Sequence, residues 1–342
     1  MQVETDVALS AYTTLGLGGP AARMVTVHDE DETVAAVRSA DGPVLVLGGG
    51  SNVVMADEGF DGTVVRIASR GSTTTVDGDV VRIDVAAGEG WDAFVERCVT
   101  ERLTGVECLA GIPGLVGATP IQNVGAYGQD VAETVVSVRA YDRDTDTVRT
   151  VDDCGFGYRS SRFKVESPRW VVLSVTYRLT RSASSRPIRY AELARALGVD
   201  VGDTAPLADV RDAVVTLRRR KGMVLDPHDV DTASAGSFFT NPLLLPEQLD
   251  ALRARGAEPP SYPEPDGRIK VPAAWLIEQA GFSRGDFVGP VGISTKHALA
   301  LVNRGGARTS DLLRVARTIR DGVREQFGVQ LVPEPVLVGV VL

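Results

Sequence analysis

The chain is poor in the residues that hold metals, disulfides and membranes. Its 342 residues contain three histidines and three cysteines, Cys98, Cys108 and Cys154. An odd cysteine count without metal-ligand spacing excludes a disulfide framework and a zinc site, leaving reduced thiols of a cytoplasmic protein as the expectation. His228 stands among carboxylates in Asp226-Pro-His-Asp-Val-Asp231, but no second histidine is near and the tract is broken by proline. It reads as a solvated connector. No apolar run reaches the roughly 18 residues of a membrane span. The acidic start Met1-Gln-Val-Glu-Thr-Asp6 lacks the apolar core of a secretory signal. Ser237 does not stand in the nucleophile pattern G-x-S-x-G, which argues against a serine-hydrolase nucleophile there. Basic residues (36) are outnumbered by acidic ones (45), and a net charge of -9 argues against a nucleic-acid partner. An anionic substrate would need a local basic patch; Arg218-Arg-Arg-Lys221 is one.

Glycine, by contrast, is concentrated. Gly105 to Asp130 reads GVECLAGIPGLVGATPIQNVGAYGQD, in which Gly111, Gly114, Gly117, Gly125 and Gly128 alternate with Pro113, Pro120 and small residues. Each glycine costs about 1 kcal/mol and each proline about 3 inside a helix, so the run must be a folded loop. Its amides lie bare of side chains and can wrap a phosphate. A lone loop of this kind is as readily a buried connector. Two more precede it: Gly16-Leu-Gly-Gly-Pro20, and Gly48-Gly-Gly-Ser-Asn52 after the apolar strand Val44 to Leu47. Gly16 to Ala21 fits G-x-G-x-x-A, yet Tyr12 to Leu15 is a poor buried strand and Pro20 interrupts the turn, so a dinucleotide-binding fold is rejected. Three glycine loops point to a large cofactor gripped by main chain at several places.

The periodicity is mixed. Helical spacing covers residues 29–39 with Asp29 or Asp31 as cap, Trp91 to Arg102, Leu207 to Leu217, and a helix capped by Ser310 with Val315, Ile319, Val323 and Phe327 in register. Val80 to Ala86 alternates with Val81, Ile83 and Val85 inward. Val135 to Tyr141 and Thr147 to Val151 flank a polar turn, and Trp170 to Leu179 is a long strand. The order is that of an α+β protein.

GIPGLVGATPIQNVGAYGQD, LGGGSNVV and LGLGGPA together resemble the flavin-binding half of the UDP-N-acetylenolpyruvoylglucosamine reductases, enzymes of peptidoglycan precursor synthesis. The tract Phe156-Gly-Tyr-Arg-Ser-Ser-Arg-Phe-Lys164, the motif Ala235-Gly-Ser-Phe-Phe-Thr-Asn-Pro242 and the tail Pro333-Glu-Pro335 extend the likeness in order along nearly the whole chain. The resemblance implies an FAD-binding fold of the vanillyl-alcohol oxidase type in two subdomains, residues 1–205, the second starting near 70. A smaller α+β substrate-binding domain would follow at 206–328, and 329–342 would be a final strand returning to the active site. It implies non-covalent FAD held by Gly48, Gly49, Gly50, Ser51, Asn52, Gly111, Gly114, Gly117, Ala118, Gly125, Ala126 and Tyr127. NADPH would be the reductant and a UDP-sugar the substrate, with no membrane or nucleic-acid partner and a monomeric chain. Arg159, Ser237 and Glu334 are the implied catalytic residues. Tyr158, Tyr190, Lys221, Asn241 and Gln279 are the implied substrate contacts. From the residues alone, Tyr190 is equally a core tyrosine, and any of Arg218 to Lys221 could take the pyrophosphate. His297 reads as packing. A sugar or alcohol oxidase on the same fold would need neither the GSFFTNP motif nor the Pro-Glu tail. A binding protein that had lost its chemistry would lack one of the catalytic three, and none is missing.

Overall fold

A computed structural model describes residues 1–342, save the side chains of Phe287 and Val288. Two units emerge, one of Met1–Val7, Ala21–Gly49 and Asp61–Val224, the other of Ala8–Pro20, Gly50–Phe60 and Leu225–Leu342.

In the first unit the valine-rich strands form a sheet ordered Thr147–Val151, Val135–Asp142, Trp170–Arg181, Val80–Ala86, Ser72–Asp77, with Leu103–Thr104 beside the end of Trp170–Arg181. These pairings are antiparallel. Val81, Ile83 and Val85 point into the core, as their alternation requires. A second sheet runs Gln2–Ala8, Pro20–Val27, Phe60–Ile67, Val44–Leu47, its last pair parallel. Helix Glu30–Arg38 is capped by Asp29, whose side chain accepts from Glu32 N at 2.7 Å. Helix Trp91–Thr100 buries Trp91, Phe94, Val95 and Cys98. Helix Leu207–Arg220 buries Val210, Val214 and Leu217 in this same core. The division therefore falls after Val224, later than the expected 205/206, because that apolar stripe packs on helices Ala191–Leu197 and Trp91–Thr100.

Two side chains fasten the glycine run, one to helix Trp91–Thr100 and one to the sheet. Trp91 Nε1 donates to Leu109 O at 3.0 Å, and the hydroxyls of Tyr177 and Thr119 lie 2.7 Å apart. A third anchor was not singled out in the sequence. The Glu107 carboxylate is fully buried and accepts from Thr104 Oγ1, Gly105 N, Gln129 Nε2 and Arg186 N.

The second unit holds the antiparallel strands Ser234–Ser237, Ala300–Asn303 and Val291–Ile293. Val336–Val338 pairs in parallel with Val53–Met55, which follows Gly48–Asn52. Leu15, Leu17 and Val54 join Phe238, Phe239 and helix Thr309–Phe327 in one core, so residues 8–20 and 50–60 belong here and not to the expected first region. The glycines of the first loop serve this packing. A Cβ at Gly18 would sit 2.7 Å from Met55 Cβ, and one at Gly19 2.1 Å from Asp57 O.

Ser310 is not the cap of the long helix. The helix starts at Thr309, and Asp57 takes Thr309 N at 2.7 Å and Ser310 N at 3.0 Å. A carboxylate distant in sequence thus satisfies the first amides and faces the positive end of the helix dipole. Burial raises the Asp57 pKa, but the hydrogen bonds from Ser310 and Thr309 outweigh it and the net shift is downward. We expect Asp57→Ala to destabilise the protein by about 1–2 kcal/mol, the usual worth of a cap. A folded-state pKa below the unfolded value makes this contribution fully present at neutral pH. It is lost as pH falls from the unfolded carboxylate value of about 3.9 through the lower folded one. Thermal melts at pH 7 and pH 3 check it: the difference between wild type and variant should shrink at pH 3, and an undiminished difference would refute the charged cap.

Candidate active site

Strand Val44–Leu47 delivers Gly48 and Gly49 against the glycine run, while Gly50 packs on the backbone of Tyr12 and Thr13. A Cβ at Gly49 would lie 2.9 Å from Gly114 Cα, so here backbone touches backbone. Gly114 takes φ +119° and Gly111 +70°, which glycine alone adopts without strain. Among the described residues the amides of Gly49 and Gly114 donate to no protein group. Gly114 O accepts from Trp91 N at 3.1 Å, which sets the loop on the helix start. Gly117 N is tied to Ala87 O and Ala118 N to Leu115 O, while Gly125 and Ala126 form a hairpin with Asp130 and Gln129.

Arg159 lies beside that hairpin. Its Nη2 donates to Gly125 O at 2.7 Å and its Nη1 to Asn123 O at 3.3 Å. The guanidinium carbon sits 5.5 Å from the centroid of the Tyr158 ring, and Lys164 Nζ holds the Arg159 carbonyl at 2.9 Å. Burial pushes the Asp130 carboxyl up, Glu133 adds to this, and Arg159 opposes it.

The basic cluster divides by depth. Arg218 is buried, with Nη2 on Met223 O at 2.9 Å and Nε without a partner, and burial pushes its pKa down to about 10. Arg219 and Arg220 are exposed. Lys221 is half-buried, 2.6 Å from Glu192 and 5.6 Å from the centroid of the Tyr127 ring. Tyr127 meets Tyr190 edge-on with centroids 5.4 Å apart. Tyr190 is exposed, which ends its reading as a core tyrosine. Burial raises the Tyr127 pKa to about 12, so its hydroxyl is neutral at physiological pH.

In the second unit Ser237 ends its strand after Gly236, whose φ is +69°. The next residue, Phe238, offers its carbonyl to Glu334 N at 2.8 Å, and Phe239 bridges to Pro333. Ser237 and Glu334 are thus brought side by side by the main chain. Among the described residues the Ser237 hydroxyl makes no hydrogen bond. Asn52 Nδ2 approaches Glu334 O at 3.4 Å. Asn241 Oδ1 accepts from Ala273 N at 2.9 Å, and among the described residues its amide NH2 makes no hydrogen bond. Gln279 is exposed at a helix end, and no hydrogen bond links it to Ser237, Asn241 or Glu334 among the described residues. Among the described residues no group of three metal-binding side chains occurs. His297 Nδ1 accepts from Leu299 N, a packing role.

The FAD binding domain family matches residues 21–151, and the C-terminal domain family of UDP-N-acetylenolpyruvoylglucosamine reductase matches 226–338. The UDP-N-acetylenolpyruvoylglucosamine reductase of Thermobifida fusca is 61% identical over 98% of this chain and 98% of its own. The chain belongs to the UDP-N-acetylenolpyruvoylglucosamine reductase family. The enzyme of the same name from Streptomyces coelicolor is 55% identical over 98% of this chain and 90% of its own. The crystal structure of the Thermus caldophilus reductase covers 99% of both chains with a TM-score of 0.68 at 28% identity.

For a reductase of this family the expected cofactor is FAD, and the glycine loops fit it. Bare amides at Gly49 and Gly114 and an unobstructed approach at Gly48, where a Cβ would meet nothing nearer than Leu115 at 3.7 Å, suit a diphosphate. We expect Gly49→Ala to lower flavin content severalfold, since its methyl would force the loop away from the Gly114 backbone. The ratio of flavin to protein absorbance in the purified variant reads this out. A wild-type ratio would place the grip elsewhere.

Proposed function

We propose that this reductase transfers hydride to the enolpyruvyl group of UDP-N-acetyl-3-O-(1-carboxyvinyl)-glucosamine, giving UDP-N-acetylmuramate for peptidoglycan synthesis. The likeness over the full chain length to reductases named for this reaction carries the reading. FAD held by the glycine loops would supply that hydride after reduction by NADPH. Addition at the vinyl CH2 carbon leaves negative charge spread into the substrate carboxylate. Arg159 and Glu334, the latter carrying or sharing a proton, stabilise that enolate electrostatically. Ser237 then protonates the neighbouring carbon, a role supported by its uncommitted hydroxyl. Lys221 takes the pyrophosphate, with Tyr190 over the nucleotide and Tyr158, Asn241 and Gln279 as further contacts. Among the described residues no helix is long and apolar enough to cross a membrane. We place the enzyme in the cytoplasm, acting as a monomer.

The flavin should be non-covalent, because His28, His228 and His297 all lie outside the glycine loops. Acid precipitation should leave the yellow colour in the supernatant. Colour in the pellet would favour an oxidase with tethered flavin.

Ser237→Ala should divide the catalytic cycle. NADPH should bleach the flavin band at near wild-type rate, because that half needs no serine proton. Re-oxidation by the enolpyruvyl sugar should slow by roughly 10²–10⁴, the usual worth of a positioned acid. Ser237→Cys, which keeps a proton at that place, should recover part of the loss. Rapid-mixing absorbance follows both halves. Equal slowing of the two would make Ser237 a shaping residue, and no slowing would remove it from the chemistry.

A further inference from the structure

Lys221, the cation that the proposed function gives to the pyrophosphate, already has an anion on it. Its Nζ lies 2.6 Å from Glu192 Oε2, and among the described residues its only other partner is the face of Tyr127. The two charged side chains are 30% and 33% exposed, so the pair is open to an incoming ligand. Glu192 belongs to the first turn of helix Ala191–Leu197 and directly follows Ala191 and Tyr190, the N-cap residue. A carboxylate oxygen thus stands where a phosphate oxygen would bind the ammonium. Carboxylate and phosphate on one cation repel each other strongly at such range. Glu192 also has somewhere to go. Arg195, three residues along the same helix, is exposed and forms no ion pair among the described residues.

We propose that Glu192 is the resident counter-ion of the anion site, screening Lys221 in the unliganded enzyme and giving way to the incoming phosphate. This rests on Lys221 being the phosphate-binding cation. The cost of opening the pair lowers the apparent affinity of every ligand that uses Lys221 by one common factor, and leaves ligands that do not use it unaffected.

The test is calorimetric titration of the FAD-loaded protein at low salt with UDP and with uridine, in a double-mutant cycle. Glu192→Gln, close to isosteric, should tighten UDP binding two- to fivefold, in keeping with a partly exposed ion pair. Glu192→Asp, whose shorter carboxylate pairs less well, should give a smaller gain. Uridine should bind all variants alike. Lys221→Ala should weaken UDP binding, and on that background Glu192→Gln should add nothing. Unchanged or weaker UDP binding in Glu192→Gln, with Lys221→Ala still harmful, overturns the counter-ion role but keeps the anion site. A gain that survives in the double variant also overturns it, since Glu192 would then act on the ligand and not through Lys221. Lys221→Ala without effect on UDP removes the anion site itself, and the proposal with it.

Discussion

The contact of Gly49 with Gly114 is the constraint on which the rest depends. The two loops leave quite different elements, one a strand end and the other the segment after helix Trp91–Thr100, yet they meet with no room for a single methyl. Close approach of this kind needs glycine on the facing positions and rigid elements behind them. The rigidity comes from Trp91, whose amide holds Gly114 O and whose indole holds Leu109 O. Gly90 bridges to Leu115, and Gly117 packs where a Cβ would lie 2.5 Å from that of Ala87. Main chain therefore builds the meeting of the two loops, and side chains elsewhere keep that main chain in place.

Glu107 shows what keeping it in place requires. Its carboxylate lies in the core with no cation among its hydrogen-bond partners, and neutral donors from Thr104, Gly105, Gln129 and Arg186 N surround it. A buried charge is tolerable only when its acceptor capacity is filled, and removing any one partner would expose the desolvation cost. The arrangement joins three separated segments: the start of the glycine run, its final hairpin, and the irregular tract near 186. Gln129 completes the knot by accepting Cys108 N at 2.9 Å.

Local patterns were legible in the sequence. The alternation of Val81, Ile83 and Val85, the Asp29 cap and the Trp91–Cys98 stripe depend on near neighbours, and the motifs around Arg159, Ser237 and Glu334 reveal the family. Interactions between distant residues left no local trace. Asp57 caps a helix some 250 residues on, so Ser310 looked like the cap in its absence. Leu207 to Leu217 shows its helical period in the sequence but not the core that it joins. The glycines at 16–20 looked like a cofactor loop because spacing cannot tell a ligand from a neighbouring strand. Arg218 to Lys221 read as one patch, although burial separates Arg218 from the exposed Arg219 and Arg220.

Among the described residues six non-glycine residues adopt positive φ, and three of them, Asn123, Tyr127 and Arg159, belong to the glycine run or the arginine tract. Such conformations cost on the order of 1–3 kcal/mol each and persist only where surrounding contacts enforce them. Here Asn123 and Arg159 hold one another. The Arg159 guanidinium holds Asn123 O and Gly125 O, while Asn123 Nδ2 donates back to Gly157 O at 3.1 Å and its Oδ1 accepts from Ala132 N. The position of the cation is thus set by two carbonyls and its own strained backbone, not by a flexible side chain searching for a partner. A planar fork with five donors can reach both carbonyls from different nitrogens. A lysine ammonium, with three donors on one atom, could not satisfy both carbonyls and keep the same reach, so this tract demands arginine for its geometry as much as for its charge.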